Sequence, residues 1–319
     1  MVTALMELKS LRKAYGETLV ELGSENKNIV VLDADVSSST QTKMFAQKFP
    51  NRFFNSGIAE QDMITTAAGL ASQGKIPFVS TFAMFATGRT YDQIRNSICY
   101  SKFNVKIVAT HGGVTVGEDG ASHQALEDIA LMRNLPNMTV IVPADYNECR
   151  QAIKYAVENE RPMYIRIPRI NLPDIFDNSY KFTLTAKVVE KGDDISIISN
   201  GDTLIESIKA GQMLKQKGIS AQIIHCPVVK PIDKNILKLI SNCKNKMLFT
   251  VENHSIVGGL GSAISELITD EGLGLKLVRI GVNDQFGQSG TAEELLDYYG
   301  ISAIKISEKV IYEMKTTIL

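Results

Sequence analysis

Cysteine is scarce in this sequence and never closely paired. Cys99, Cys149, Cys226 and Cys243 lie far apart, with no C-x-x-C. That spacing excludes a disulfide frame or a zinc site and reads as reduced thiols in a cytosolic protein. An excess of charge of one sign is also missing. Lys plus Arg is 34 against 35 for Asp plus Glu, a formal net charge of −1. Such balance argues against a nucleic acid or an anionic membrane as the main partner. No apolar run is long enough to span a bilayer. The opening segment Met1-Val2-Thr3-Ala4-Leu5-Met6-Glu7 lacks the layout of a signal peptide and runs into an amphipathic helix. Ligand spacings such as H-x-x-x-H are absent, as are repeats and low-complexity tracts. The expectation is a cytoplasmic protein that supplies no metal ligands.

What is present is an ordinary globular composition. The 319 residues are 44% hydrophobic and 22% charged, enough for two domains. Apolar runs read as strands at Ile29–Leu32, Ile76–Val79, Val105–Ala109, Thr139–Val142 and Met163–Ile167. Helical patterns lie between them, for example Arg89–Tyr100 and Asn147–Asn159. Such alternation implies a parallel sheet covered by helices on both faces. The segment Pro168–Thr183 breaks the rhythm and reads as a linker. The alternation then restarts at Ile195–Ile198 and continues through Ala221–Ile224, Lys246–Val251 and Leu275–Val278. The fold class is α/β, with two parallel-sheet-based three-layer domains at 1–172 and 184–319 and a linker at 173–183.

In open parallel sheets, ligands gather at the carboxyl ends of strands. Asp33, Asp35 and Ser37 to Thr40 fall at one such end, Thr81 and Phe82 at another, His111 at a third. The stretch Phe54–Met63 reads as a strand, a turn and the first turn of a buried helix, with Glu60 among small and apolar residues. A carboxylate there is costly to desolvate and suited to holding or passing a proton. It also suits a helix start on dipole grounds alone. Phe82 and Phe85 could wall a pocket for a flat ring, or simply fill core. The loop His111–His123 gathers two of the four histidines with Gly112, Gly113, Gly117, Glu118, Asp119 and Gly120. It is either a substrate loop able to bind hydroxyls and move protons or a solvated turn. Arg166 and Arg169 stand at a strand end, suited to phosphate capture or to a linker salt bridge. Gly258-Gly259-Leu260-Gly261 fits neither phosphate-loop nor dinucleotide patterns, so tight helix packing is the better reading.

Taken together these segments resemble the transketolase family of thiamine-diphosphate enzymes. The resemblance rests on Gly57-Ile58-Ala59-Glu60-Gln61, on Ser80–Phe85 with Tyr91–Arg95, and on Gly117–Gln124. It continues through Leu135-Pro136-Asn137, Val142–Asp145, Pro168-Arg169, Gly258–Ala263 and Phe286–Gly290, collinear over nearly the whole chain. A complete transketolase also has an N-terminal domain that binds diphosphate and metal through Gly-Asp-Gly and a later Asn. That motif is absent here, and the nearest echo, Glu118-Asp119-Gly120, lies in another context. The resemblance therefore implies the C-terminal subunit of a split transketolase, a pyrimidine-binding domain followed by the family's C-terminal domain.

Carried over by residue, the resemblance has Glu60 hydrogen-bonding the pyrimidine of thiamine diphosphate, with Ile58, Phe82 and Phe85 lining it. His111 and His123 contact the sugar and its reacting oxygens, and Asp119 binds a hydroxyl. Arg169, with Ser39 from the other side, holds the sugar phosphate. Gly88, where some relatives have an aromatic, and Ser37-Ser38-Ser39 leave the preferred sugar open. The second domain supports assembly without direct catalytic work. The implied reaction is transfer of a two-carbon ketol unit between sugar phosphates. The implied partner is an N-terminal subunit that holds the diphosphate and Mg2+ or Ca2+ in an α2β2 heterotetramer around a homodimer core. The alternatives are the β subunit of a two-oxoacid dehydrogenase complex, a deoxyxylulose-phosphate-synthase-like half, and a non-catalytic scaffold.

Overall fold

The computed structural model describes residues 7–241 and 243–317. Residues 1–6, which the sequence reads as leading into an amphipathic helix, lie outside them. The helix itself runs Leu11–Glu25, with Ser10 as its N-cap accepting from the Lys13 amide.

The strands in chain order are β1 (Leu8–Ser10), β2 (Ile29–Asp33), β3 (Phe53–Asn55), β4 (Ile76–Phe82), β5 (Lys106–Thr110), β6 (Thr139–Ile141) and β7 (Met163–Ile167). They continue as β8 (Asn171–Pro173), β9 (Lys187–Glu190), β10 (Ile195–Ser199), β11 (Ala221–His225), β12 (Val228–Lys230), β13 (Met247–Ser255) and β14 (Lys276–Val282). One sheet has seven strands in the order β12-β6-β7-β5-β4-β2-β3, and a second has five in the order β14-β13-β10-β11-β9. Both are parallel except at one edge, where β12 and β9 run antiparallel to β6 and β11.

Alternation along the strands explains the three layers. In β2, Ile29 and Val31 face one core with Leu11, Tyr15 and Leu19 of the first helix and Ala152 and Ile153 of the helix Tyr146–Glu158. Val30 and Leu32 face the opposite core with Met63, Ile64, Ile94 and Ile129. The second sheet repeats the scheme. Ile195 and Ile197 meet Leu204 and Ile306 on one side, while Ile198 meets Leu260 and Ile264 on the other.

The structure adds three features that the sequence pattern does not show. Pro168–Thr183 is not featureless: β8 pairs antiparallel with β1, Leu8 opposite Pro173, and Phe182 is buried in the first core. The helix predicted at Arg89–Tyr100 begins earlier and is wound as π-turns over Phe85–Arg89 and Ile94–Tyr100, a geometry frequent near functional sites. Thirdly, β12 from the second half of the chain closes the first sheet at β6, a crossing that local periodicity does not encode.

The glycine run before the helix Leu260–Asp270 does pack tightly. The buried Glu252 carboxylate accepts from the Leu260 and Gly261 amides at 2.7 and 2.8 Å. A Cβ on Gly259 would lie 1.9 Å from that carboxylate. The helix N-terminus is thus filled by the protein's own carboxyl group.

Candidate active site

β3, β2, β4, β5 and β7 are all parallel, and β2, β4, β5 and β7 are successive neighbours. The segments that follow them leave the same edge of the sheet. Glu60 follows β3, Ser39 follows β2, Phe82 ends β4, His111 follows β5 and Arg169 follows β7. Residues as far apart as 39 and 169 in the chain are brought to one rim by strand direction alone.

At one end of this rim stands Glu60, the first residue of the helix Glu60–Ser72. Its side chain is only 6% exposed and its Oε1 accepts from Arg89 Nη1 at 2.9 Å. Burial of Met63 and Ile64 on the same helix draws this end into the core. The Arg89 guanidinium lies 4.2 Å from the Phe85 ring centroid. Phe85 and Phe82 stack with centroids 6.0 Å apart and an angle of 21°. Phe82 in turn lies 4.0 Å from the His111 ring, and His123 packs edge-on to Phe85 at 5.4 Å. Carboxylate, guanidinium, aromatics and imidazoles form one continuous wall. Ile58, in the loop before Glu60, is 78% exposed.

The other end is cationic. Arg12, on the first helix, donates to the Ser39 carbonyl at 3.1 Å and to the Arg169 carbonyl at 3.0 Å. It therefore ties together the two residues that the family resemblance pairs for phosphate. Its Nε is buried without a partner, and burial together with the Arg169 cation lowers its pKa. Arg169 donates to the Val116 carbonyl, lies 3.3 Å from Glu118 and 3.8 Å from Asp119. Asp119 thus sits beside the cation.

His111 adopts a left-handed backbone, φ 61°, uncommon for a non-glycine residue. Its Nδ1 is 2.7 Å from Thr110 Oγ1. Burial first, then the nearby Arg12, Arg169 and His123, push its pKa down to about 3. Loss of solvation and like charge both disfavour the imidazolium. His111 is expected to remain a neutral imidazole from pH 8 down to about 4. Nitrogen-detected NMR of its ring should show no titration near 6.5, and a midpoint there would overturn this environment.

Two rim expectations change on inspection. Asp33 turns inward, where its Oδ2 accepts from Thr40 and Thr42 hydroxyls at 2.7 and 2.8 Å. It braces the loop after β2. Arg166 is 4% exposed and pairs with Asp128, wholly buried, at 2.8 Å. It lies within β7, so it serves the core, whereas Arg169 stands past the strand end at the rim.

Among the described residues, no group of three or more His, Cys, Asp or Glu is placed to hold a metal ion. No described helix is long and apolar enough to cross a membrane.

Comparison with known proteins gives this rim its family. A model for the transketolase pyrimidine-binding domain matches residues 8–174, and one for the transketolase C-terminal domain matches 184–306. The chain belongs to the transketolase family. It is 52% identical to a protein of Methanocaldococcus jannaschii provisionally named a transketolase C-terminal section, over 96% of this chain and 97% of that one. It is 37% identical to a 6-deoxy-6-sulfo-D-fructose transketolase subunit of a Clostridium species, over 93% and 92%. A split-gene transketolase solved as an inactive β4 tetramer superimposes with a TM-score of 0.87 at 46% identity, covering 97% of this chain and 99% of that one.

In this transketolase-family chain the second domain also reaches the rim. Asn253, from β13, accepts from the Val114 amide at 2.8 Å and donates to Thr115 Oγ1 at 2.9 Å and Asp202 at 2.7 Å. Gln124 Nε2 donates to the Gly117 carbonyl at 3.2 Å and to that of Gln288 at 2.9 Å. A Cβ on Gly113, φ 81°, would lie 2.4 Å from the Asn253 amide group. The loop from His111 to His123 is therefore clamped from the C-terminal half, a contribution beyond the supporting role expected for it. Arg12, Arg89 and Asn253 were not singled out from the sequence. Arg12 carried one signal: a cation in the first turn of a helix opposes the dipole and calls for a reason.

Proposed function

We propose that this chain is the C-terminal subunit of a thiamine-diphosphate-dependent transketolase. It would transfer a two-carbon ketol unit from a ketose phosphate to an aldose phosphate. The observation that carries this reading is the single rim from the buried Glu60 carboxylate, through stacked Phe85 and Phe82, to His111, His123 and the Arg12–Arg169 pair. The residues fit the cofactor. A buried carboxylate lies one guanidinium away from two stacked aromatic faces, the anchor and wall that an aminopyrimidine requires. Glu60 would hold or move a proton at the pyrimidine ring, with Phe82, Phe85 and the exposed Ile58 around it. When bound, thiamine diphosphate would supply a nucleophilic carbon and an electron sink.

His111, neutral and oriented by Thr110, would contact the sugar's reacting oxygens together with His123. Asp119, beside Arg169, would select among hydroxyl configurations. Arg12 and Arg169 would hold the phosphate, with Ser39 alongside. This chain has no Gly-Asp-Gly. An N-terminal subunit would supply the diphosphate and Mg2+ or Ca2+ site, in a cytoplasmic α2β2 heterotetramer built on a homodimer of this chain. Relatives that are themselves named as a transketolase subunit and a C-terminal section support that division.

The test is two-carbon transfer from xylulose 5-phosphate to ribose 5-phosphate with thiamine diphosphate and magnesium. The chain is assayed alone and then with the subunit carrying the missing motif. Transfer by the mixture only is expected. Decarboxylation of a two-oxoacid without transfer would move the chain to the dehydrogenase type. In the active mixture, Arg169→Ala or Arg12→Ala should raise KM for phosphorylated sugars about 10- to 100-fold, the size of one lost charge-assisted contact. kcat should change little. An unchanged KM would remove the phosphate role from that residue.

A further inference from the structure

Arg89 takes up both contacts that the proposed pyrimidine subsite offers. Its Nη1–H donates to Glu60 Oε1 at 2.9 Å, and its guanidinium lies over Phe85 at 4.2 Å. A guanidinium is flat, carries N–H donors on its edge and stacks on aromatic faces. An aminopyrimidine has the same three properties. The two cannot use the Glu60 carboxylate and the Phe85 face at once.

We propose that Arg89 is a built-in stand-in for the cofactor's pyrimidine, occupying the Glu60–Phe85 subsite until thiamine diphosphate displaces it. This rests on the cofactor assignment above. The burial pattern suits an exchange. Glu60 is 6% exposed, whereas the Arg89 side chain is 51% exposed. Glu60 has little access to water, and a buried carboxylate without a partner is costly. Arg89 can reach water by side-chain rotation alone. Its backbone need not follow. The Arg89 carbonyl accepts from Gln61 Nε2 at 2.9 Å, and the Thr90 hydroxyl donates to the Ala86 carbonyl at 2.6 Å. The loading step is then an exchange of one flat, stacking partner for another at the same carboxylate. Cofactor affinity is set by the difference between the two.

The size of the effect follows from the contacts. An accessible ion pair and an accessible cation–π contact are each modest. Their removal from the unloaded state should tighten binding about ten-fold, which is about 1.4 kcal/mol. The experiment is calorimetric titration of thiamine diphosphate, with magnesium, into the complex of this chain and its N-terminal subunit. Wild type, Arg89→Met, Arg89→Lys and Glu60→Ala are compared. Arg89→Met should bind about ten-fold more tightly. Arg89→Lys, which keeps the charge but loses the flat stacking face, should fall between it and wild type. Glu60→Ala should bind more weakly. Weaker or unchanged binding by Arg89→Met, with Glu60→Ala still weakened, would overturn the stand-in role and leave the cofactor site in place. Unchanged binding by Glu60→Ala would overturn the cofactor assignment itself, and the stand-in with it.

Discussion

Glu60→Ala, assembled with the N-terminal subunit, is expected to lose two-carbon transfer by on the order of 10³-fold, the scale of a positioned proton-transfer group. Assembly should be unaffected. Glu60 begins a helix whose dipole favours its charge, but its cation partner Arg89 is half-exposed and returns to water when the carboxylate is removed. The fold therefore loses little, and the loss of turnover can be read as chemistry. Glu60→Gln sharpens the argument. It keeps size and hydrogen-bonding capacity but cannot carry the charge or exchange the proton, so it should fall nearly as far. Transfer rates set beside size-exclusion profiles decide the matter. Near-normal turnover in the glutamine variant would reduce Glu60 to a helix-start acid, and with it the proton role of this rim.

The rim was legible because two simple rules combine. Apolar runs alternating with helical patterns give parallel strands, and parallel strands release their loops at one edge. Glu60, Phe82, His111 and Arg169 follow from those rules without any side-chain detail. Arg12, Arg89 and Asn253 do not, because each acts by reaching across elements. Arg12 meets the carbonyl of a residue 157 positions away, and Asn253 meets an amide 139 positions away. Nothing in local periodicity encodes such a reach. Arg166 and Arg169 illustrate the limit within one motif. They are three residues apart, and the ambiguity is settled only by where β7 ends. The π-turns around Phe85 are similarly invisible, since one helical pattern serves either winding.

The second large effect concerns the buried pair behind the rim. Asp128→Ala is expected to destabilise the chain by about 3–5 kcal/mol, the usual result of leaving a buried charge unpaired. Asp128 is wholly buried and Arg166 is 4% exposed. The same carboxylate oxygen also accepts from Tyr164 at 2.6 Å. Replacing both partners with apolar residues of similar size is a different matter, because the desolvation cost of the ions disappears with their attraction. Asp128→Leu with Arg166→Met should recover most of the lost stability in urea unfolding. It should not restore the site. Arg166 Nη2 donates to the Asn253 carbonyl at 2.9 Å, and the Asn253 side chain holds Val114 and Thr115 in the loop between His111 and His123. Without Arg166 that clamp loses one of its anchors. The double variant should therefore fold while its Val114 amide exchanges faster with solvent than in the wild type. Recovered stability with wild-type protection at Val114 would show that Asn253 holds the loop unaided. Failure to recover stability would mean that the ion pair is needed to select this packing of the two domains.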